Sequence, residues 1–259
     1  MKIKNSLIRI LTIILLGSTL FKGCKETPYT PTVWRFPELT EILITQNFIF
    51  HYSVQDQVDS IRQEVFHEWA ISQLGIIIPK KIDYYKYLNR AHMQQLTGRS
   101  TNGWADPLNF AVHSIWSWDN HECVHCYTSL IGRPSDFFNE GIAVAFSTDP
   151  YNGDYEARWW GNSVHYWAKK YKDEATLIPL NSILETYSFR SYSDGITYPE
   201  SGSFVRFLID NYSLSMMMSF FQIGNREDPI EEIKQNFQSI YGFSIDQAEQ
   251  EWLMFLDNY

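Results

Sequence analysis

His121-Glu122-Cys123-Val124-His125 sets two histidines four residues apart around a glutamate. On a helix that spacing stacks both imidazoles on one face, a turn apart, where their ring nitrogens converge on one cation. Glu122 is rotated by about 100° from His121, so it stands off from the ligand pair and can act as base toward a water held on the metal. A third ligand is needed. Glu140 supplies it, because Gly132, Arg133 and Pro134 break the first helix and a second apolar helix from about Asn139 brings its first turn back. Two neutral imidazoles and one carboxylate leave Zn²⁺ with a net charge near about +1 and an open fourth position, which lowers the pKa of bound water toward neutrality. The chemistry expected is hydrolysis. The bland alternative for Glu140 is a solvated first-turn glutamate favoured by the helix dipole.

The elements that must carry these residues are legible in the apolar periodicity. Phe48, Phe50 and Tyr52 alternate as in a half-buried strand, and Val58, Ile61, Val65 and Trp69 recur at helical spacing up to a stop at Gly75. Ile76 to Ile78 and Lys81 to Tyr85 suggest strand, Asn89 to Leu96 a short helix, and Phe110 to Trp116 a strand after a turn rich in Gly, Asn, Asp and Pro. Beyond Asn120 the pattern turns helical, with segments at about 120–131, 139–147, 156–170, 200–211, 213–222, 229–239 and 244–257. The order of elements predicts an α+β fold: a sheet-bearing half to about residue 150, then a mainly helical half, 151–259.

Composition narrows the function. Of 259 residues 44% are hydrophobic and 16% aromatic, enough for a sizeable core and too apolar for disorder. A formal charge of −9 argues against a nucleic-acid footprint, and three cysteines exclude a disulfide scaffold. Lys2, Lys4 and Arg9 precede an apolar run from Ile10 to Phe21, the pattern of a secretory signal peptide over residues 1–23. The run ends at Leu20-Phe21-Lys22-Gly23-Cys24, which resembles a bacterial lipoprotein box and implies lipidation of Cys24, with residues 24–32 as a tether. Removing residues 1–23 takes four of the 21 Lys and Arg and none of the 30 Asp and Glu, leaving −13 on the exported domain.

The paired motifs HECVH at 121–125 and FFNEG at 137–141 resemble the gluzincin metallopeptidases of the thermolysin-like superfamily, within it the bacterial peptidase-MA-like proteins. The resemblance extends through Gly103-Trp104-Ala105-Asp106, the stretch from Tyr198 to Leu208, and Tyr241-Gly-Phe-Ser leading to Trp252, covering roughly 45–257. It implies a thermolysin-like zincin fold over residues 33–259, zinc on His121, His125 and Glu140, Glu122 as general base, and hydrolysis of a peptide or protein substrate. It also implies that the strand at Asn109 and Ala111 pairs with an extended substrate. Tyr198, ahead of a helix, is implied as donor to the developing oxyanion. Val144 departs from the pattern, since such proteins commonly carry an acidic residue one turn after the ligand glutamate to hold a zinc histidine.

The remaining candidates read as structural. Cys123 and Cys126 sit mid-helix, where small buried thiols pack as apolar residues. His51, His67, His92, His113 and His165 lack ligand spacing, and Met216 to Met218 with Phe220 and Phe221 read as core. Trp159, Trp160, Tyr166 and Trp167 are expected to pack in a core, against a sugar-stacking platform. The expectation is a membrane-anchored zinc metallopeptidase of the bacterial cell envelope. Its rivals are a non-catalytic binding lipoprotein of the same fold and a surface glycan-binding module.

Overall fold

Five short strands answer the alternating segments: β1 (Glu41–Ile44), β2 (Phe48–Tyr52), β3 (Ile82–Lys86), β4 (Gly103–Asp106) and β5 (Ala111–Ser114). The protein is described by a computed structural model over residues 34–259, so the expected leader, Cys24 and the tether lie outside the described residues. The strands form one mixed sheet in the order β1-β2-β3-β5-β4; β2, β3 and β5 run parallel, and β1 and β4 flank them antiparallel. Period-2 alternation then divides the faces. Phe50, Tyr84 and Val112 are cross-strand neighbours and fully buried beneath the helices. On the opposite face His51, Tyr85, His113 and Trp104 stand in register and stack, with centroids 4.5, 4.8 and 3.9 Å apart. Trp34 and Phe36 pack edge-on against this ladder.

The first helix, α1 (Ser60–Leu74), starts where the Asp59 carboxylate accepts the Arg62 N–H and stops at left-handed Gly75. Its buried face is Gln63, Phe66, His67, Ala70 and Leu74, rotated from the expected one; Ile61 is exposed. Burying Gln63 and His67 is tolerated because each finds a partner: Gln63 Oε1 accepts the Asp119 N–H at 2.8 Å, and His67 Nδ1 lies 2.9 Å from the Tyr127 hydroxyl. Ile76 to Ile78 form no strand, and α2 (Arg90–Thr97) follows β3.

The second half is mainly helical: α3 (Asn120–Thr128), α4 (Asp136–Ala145), α5 (Val164–Asp173), α6 (Thr186–Arg190), α7 (Asp194–Asn211), α8 (Leu214–Ile223), α9 (Ile230–Tyr241) and α10 (Ile245–Asn258). Fold class is therefore α+β, and one hydrophobic core runs from Phe48 on the sheet to Trp252 on α10. The expected helix 156–170 starts only at Val164. Before it, Arg158–Trp159 (β6) and Asn162–Ser163 (β7) form a hairpin whose tip, Trp160 and Gly161, has φ of 46° and 84°. Two successive positive φ values make the turn a hairpin matches to strand twist, and a helix cannot continue through them. Trp160 there and Tyr166 on α5 are 69% and 47% exposed, contrary to the expected core packing, whereas Met217, Phe220 and Phe221 are buried as expected.

Helix α7 begins six residues before the expected 200, so Tyr198 and Pro199 lie inside it. Proline removes an N–H that would bond the carbonyl four residues back. That carbonyl, of Gly195, instead accepts the Tyr171 hydroxyl at 2.7 Å. Helices α4 and α7 cross at very short range: a Cβ on Gly202 would stand 2.3 Å from Val144 Cγ1, and one on Gly141 2.7 Å from Val205 Cγ2. No helix among the described residues is long and apolar enough to cross a membrane.

Candidate metal centre

Helix α3 is set by its first residues. The Asp119 carboxylate accepts the Glu122 N–H at 3.2 Å and the Ser114 hydroxyl at 2.7 Å, fixing the helix start to the end of β5. The Asn120 amide donates to the Thr148 carbonyl at 2.7 Å, fastening the same end to the loop after α4. Cys123 and Cys126 are fully buried free thiols on the side away from the solvent, as the sequence leads one to expect. The opposite side then presents His121, Glu122 and His125.

Helix α4 brings Glu140 to these residues as expected, but it starts at Asp136 rather than about Asn139, so Glu140 occupies its second turn and not its first. Nε2 of His121 and Nε2 of His125 lie 3.0 and 3.2 Å from Oε2 of Glu140 and 3.2 Å from each other. Three donors about 2.1 Å from one tetrahedral ion would be about 3.4 Å apart, so the observed triangle fits a single small cation to within a few tenths of an ångström. The donor set, two imidazoles and a carboxylate, suits zinc. Burial would raise the Glu140 carboxyl, but the His125 and His121 rings outweigh it and hold the group well below the usual carboxylate range.

The outer nitrogens of the two rings are treated differently. His125 Nδ1 lies 3.3 Å from Nδ2 of the Asn139 side-chain amide, placed to accept a hydrogen bond from it. His121 Nδ1 is buried without a partner. Val144, which departs from the pattern of the resembled family, is fully buried against Ala157, Val164, Trp159 and Tyr198.

Glu122 lies beside the ligands under β4. A Cβ on Gly103 would stand 2.9 Å from both Asp119 Oδ2 and Glu122 Oε1, so only glycine lets the strand approach the two carboxylates this closely. The Ala105 N–H donates to Glu122, while desolvation, with Asp119 and Glu140 adding to it and His121 opposing, raises the Glu122 carboxyl above its ordinary value. Strand β4 is an edge of the sheet, and with Ile115 N–H bonded to the Asn102 carbonyl its alternation turns the main-chain groups of Gly103 and Ala105 outward.

That corrects the expected substrate strand. Ala111 lies in β5, whose two edges are filled by β3 and β4, and Asn109 sits buried in the preceding turn with its amide on Asp106 Oδ2 at 2.6 Å. Neither offers a free edge. Tyr198 is brought to the centre, its ring stacked 5.8 Å from His121 and its hydroxyl accepting from Arg190 Nη1 at 2.7 Å. It reaches that place from within α7, not ahead of it.

Residues that sequence reasoning missed complete the surroundings. Arg190 Nη2 donates to Glu140 Oε1 at 2.5 Å and Nε to Asp136 Oδ2 at 2.6 Å, and Arg226 takes Asp136 by both oxygens at 2.7 and 2.9 Å. Asp136 stands four residues before Glu140, the one local signal available; Arg190 lies fifty residues away on α6, with none. No protein-family model matches this chain and no curated protein does, so the family resemblance rests on the residues quoted above.

Proposed function

We propose that the protein is a zinc-dependent peptidase of the gluzincin, thermolysin-like type, exported and held at the bacterial cell envelope through a lipid on Cys24. The observation that carries the reading is the triangle of 3.0 to 3.2 Å among His121, His125 and Glu140, with the glutamate of the same H-E-x-x-H lying beside it under a free strand edge. The thermolysin-like arrangement is supported by an antiparallel edge strand over the ligand helix and a second ligand helix following it.

Zinc, when bound, supplies the Lewis acid that acidifies water and polarises a carbonyl. The chain supplies the rest. An extended peptide pairs with the outward groups that remain open on this edge, the Gly103 N–H and the Ala105 carbonyl, which aligns its backbone across the ligand triangle. Glu122, held beside the ligand triangle under β4, accepts a proton from the attacking water and passes it to the leaving nitrogen. The Tyr198 hydroxyl, already accepting from Arg190, keeps its own proton to donate to the oxyanion developing on the substrate.

The partnerless His121 Nδ1 favours a second reading, a binding lipoprotein that holds metal without turnover. One experiment separates them. The purified protein is assayed for bound metal and for cleavage of unfolded casein, with Glu122→Gln beside it. About one zinc per chain and cleavage lost in Glu122→Gln support the peptidase; zinc without cleavage supports the binding protein; no zinc refutes both.

A further inference from the structure

We propose that Arg190 is a positioning residue of this centre: one guanidinium occupies Oε1 of Glu140, so that the carboxylate offers only Oε2 to a metal, and ties that ligand to the hydroxyl of Tyr198. The inference rests on the zinc reading of His121, His125 and Glu140. Three nitrogens of Arg190 serve three different acceptors, Nε to Asp136 at 2.6 Å, Nη1 to Tyr198 at 2.7 Å and Nη2 to Glu140 at 2.5 Å. A planar fork carries these donors on three separate atoms, whereas an ammonium carries all of its N–H bonds on one.

The fork is itself anchored. Asp136 is 1% exposed and bound from its other side by Arg226, and the rings of Phe189 and Tyr198 lie 5.5 and 5.8 Å from the guanidinium carbon. The centre therefore lacks a polar partner on His121 Nδ1, and its oriented hydrogen bonds gather on the carboxylate ligand instead. With Oε1 engaged, Glu140 is restricted to one-point ligation through the oxygen that already faces both Nε2 atoms. The same guanidinium sets the distance between the third ligand and the phenol. Glu140 sits on α4 and Tyr198 on α7, so Arg190, on α6, joins three helices at the site.

The test compares the full protein with Arg190→Lys and Arg190→Met, using Zn²⁺ in competition with a chromophoric chelator and the visible spectrum of the Co²⁺ form. Loss of a partner that orients a metal ligand costs about 10- to 100-fold in affinity, and that loss is expected in both variants. Their Co²⁺ bands should also weaken, because the freed Oε1 turns to the ion and raises its coordination number. Thermal unfolding monitors the fold, which Arg226 continues to support through Asp136; should the methionine variant unfold, Arg190→Lys alone decides. Affinity and spectrum unchanged in the lysine variant would overturn positioning and leave charge alone. Tighter zinc in Arg190→Met would overturn it as well. A wild-type protein that binds no zinc refutes the underlying metal reading instead, and is seen before either variant is made.

Discussion

Gly202→Ala is expected to separate the two helices that carry Glu140 and Tyr198. The added methyl would stand 2.3 Å from Val144 Cγ1 and 2.8 Å from Val144 Cβ, where carbon atoms prefer about 3.5 to 4.0 Å. Relief requires a shift of more than about one ångström, and the obstacle is stiff, because a β-branched side chain in a helix has one favoured rotamer. Overpacking of this kind costs about 1 to 3 kcal/mol, and an overlap this deep belongs at the upper end. At roughly 2 to 4 °C per kcal/mol for a chain of this size, the melting temperature should fall by about 6 to 12 °C. Val144→Ala alone leaves a cavity and destabilises too. In the double variant the new methyl fills the space the valine leaves, so the two losses should cancel in part, with a favourable coupling of about 1 to 3 kcal/mol. Thermal or urea unfolding of the four proteins measures that coupling. Strict additivity, or a Gly202→Ala protein as stable as wild type, would refute the close crossing of α4 and α7.

Three further outcomes concern Glu200, His165 and Tyr198. Burial pushes the Glu200 carboxyl well above its ordinary value, its Oε2 accepting the Ile178 N–H while Oε1 has no partner, so folding takes up a proton and stability is lost as pH rises above the unfolded value near 4.5. Glu200→Gln keeps the acceptor and should flatten that loss between pH 5 and 8 in urea titrations; parallel curves for the two proteins would count against it. Burial lowers His165 to about 4, so its contribution is complete above the unfolded value of 6.5 and fades as pH falls toward 4, by up to about 3 kcal/mol; His165→Gln, which keeps a partner for Ser203, should lessen acid lability in that window and not above it. On the peptidase reading, Tyr198→Phe keeps the ring on His121 and removes the hydroxyl, both as donor to the oxyanion and as acceptor for Arg190, so kcat should fall about 10²- to 10³-fold, with zinc content measured beside it, and a change within about threefold would leave the phenol a packing role.

The parts of the fold that were legible in the sequence are those fixed by local spacing. The i, i+4 histidines, the glutamate between them and the break at Gly132 to Pro134 need only helix geometry, and the α+β order needs only the change of period near Asn120. The errors come where tertiary context outweighs local pattern. Trp159 and Trp160 read as helix because aromatic spacing ignores backbone sign, and only two positive φ values at Trp160 and Gly161 turn the chain back. Ala111 read as the substrate strand because a strand precedes the ligand helix, but edge status is decided by β4, a four-residue strand hidden in a stretch that reads as turn. Pro199 discouraged a helix across Tyr198, and the compensation that permits it, the Tyr171 hydroxyl on the Gly195 carbonyl, comes from a different helix. Arg190 belongs to the same class, a charge whose partners are all distant in sequence.

Val144 connects the stability of the crossing to the chemistry of the centre. A carboxylate in its place would be enclosed by Ala157 and Val164 and pressed against Gly202 of α7, an apolar setting in which burying a charge is costly. An apolar residue is the side chain this crossing accepts, and His121 Nδ1 is buried without a hydrogen-bond partner. The close crossing also carries Tyr198 on α7 into stacking contact with His121, so the ring whose Nδ1 has no partner rests against an aromatic wall. Orientation of His121 then comes from packing, and orientation of Glu140 from charge-assisted hydrogen bonds of 2.5 to 2.6 Å running through Arg190 to Asp136. The two restraints differ in what disturbs them: a methyl at Gly202 acts on the histidine through the helices, whereas loss of the guanidinium acts on the carboxylate and leaves the crossing in place.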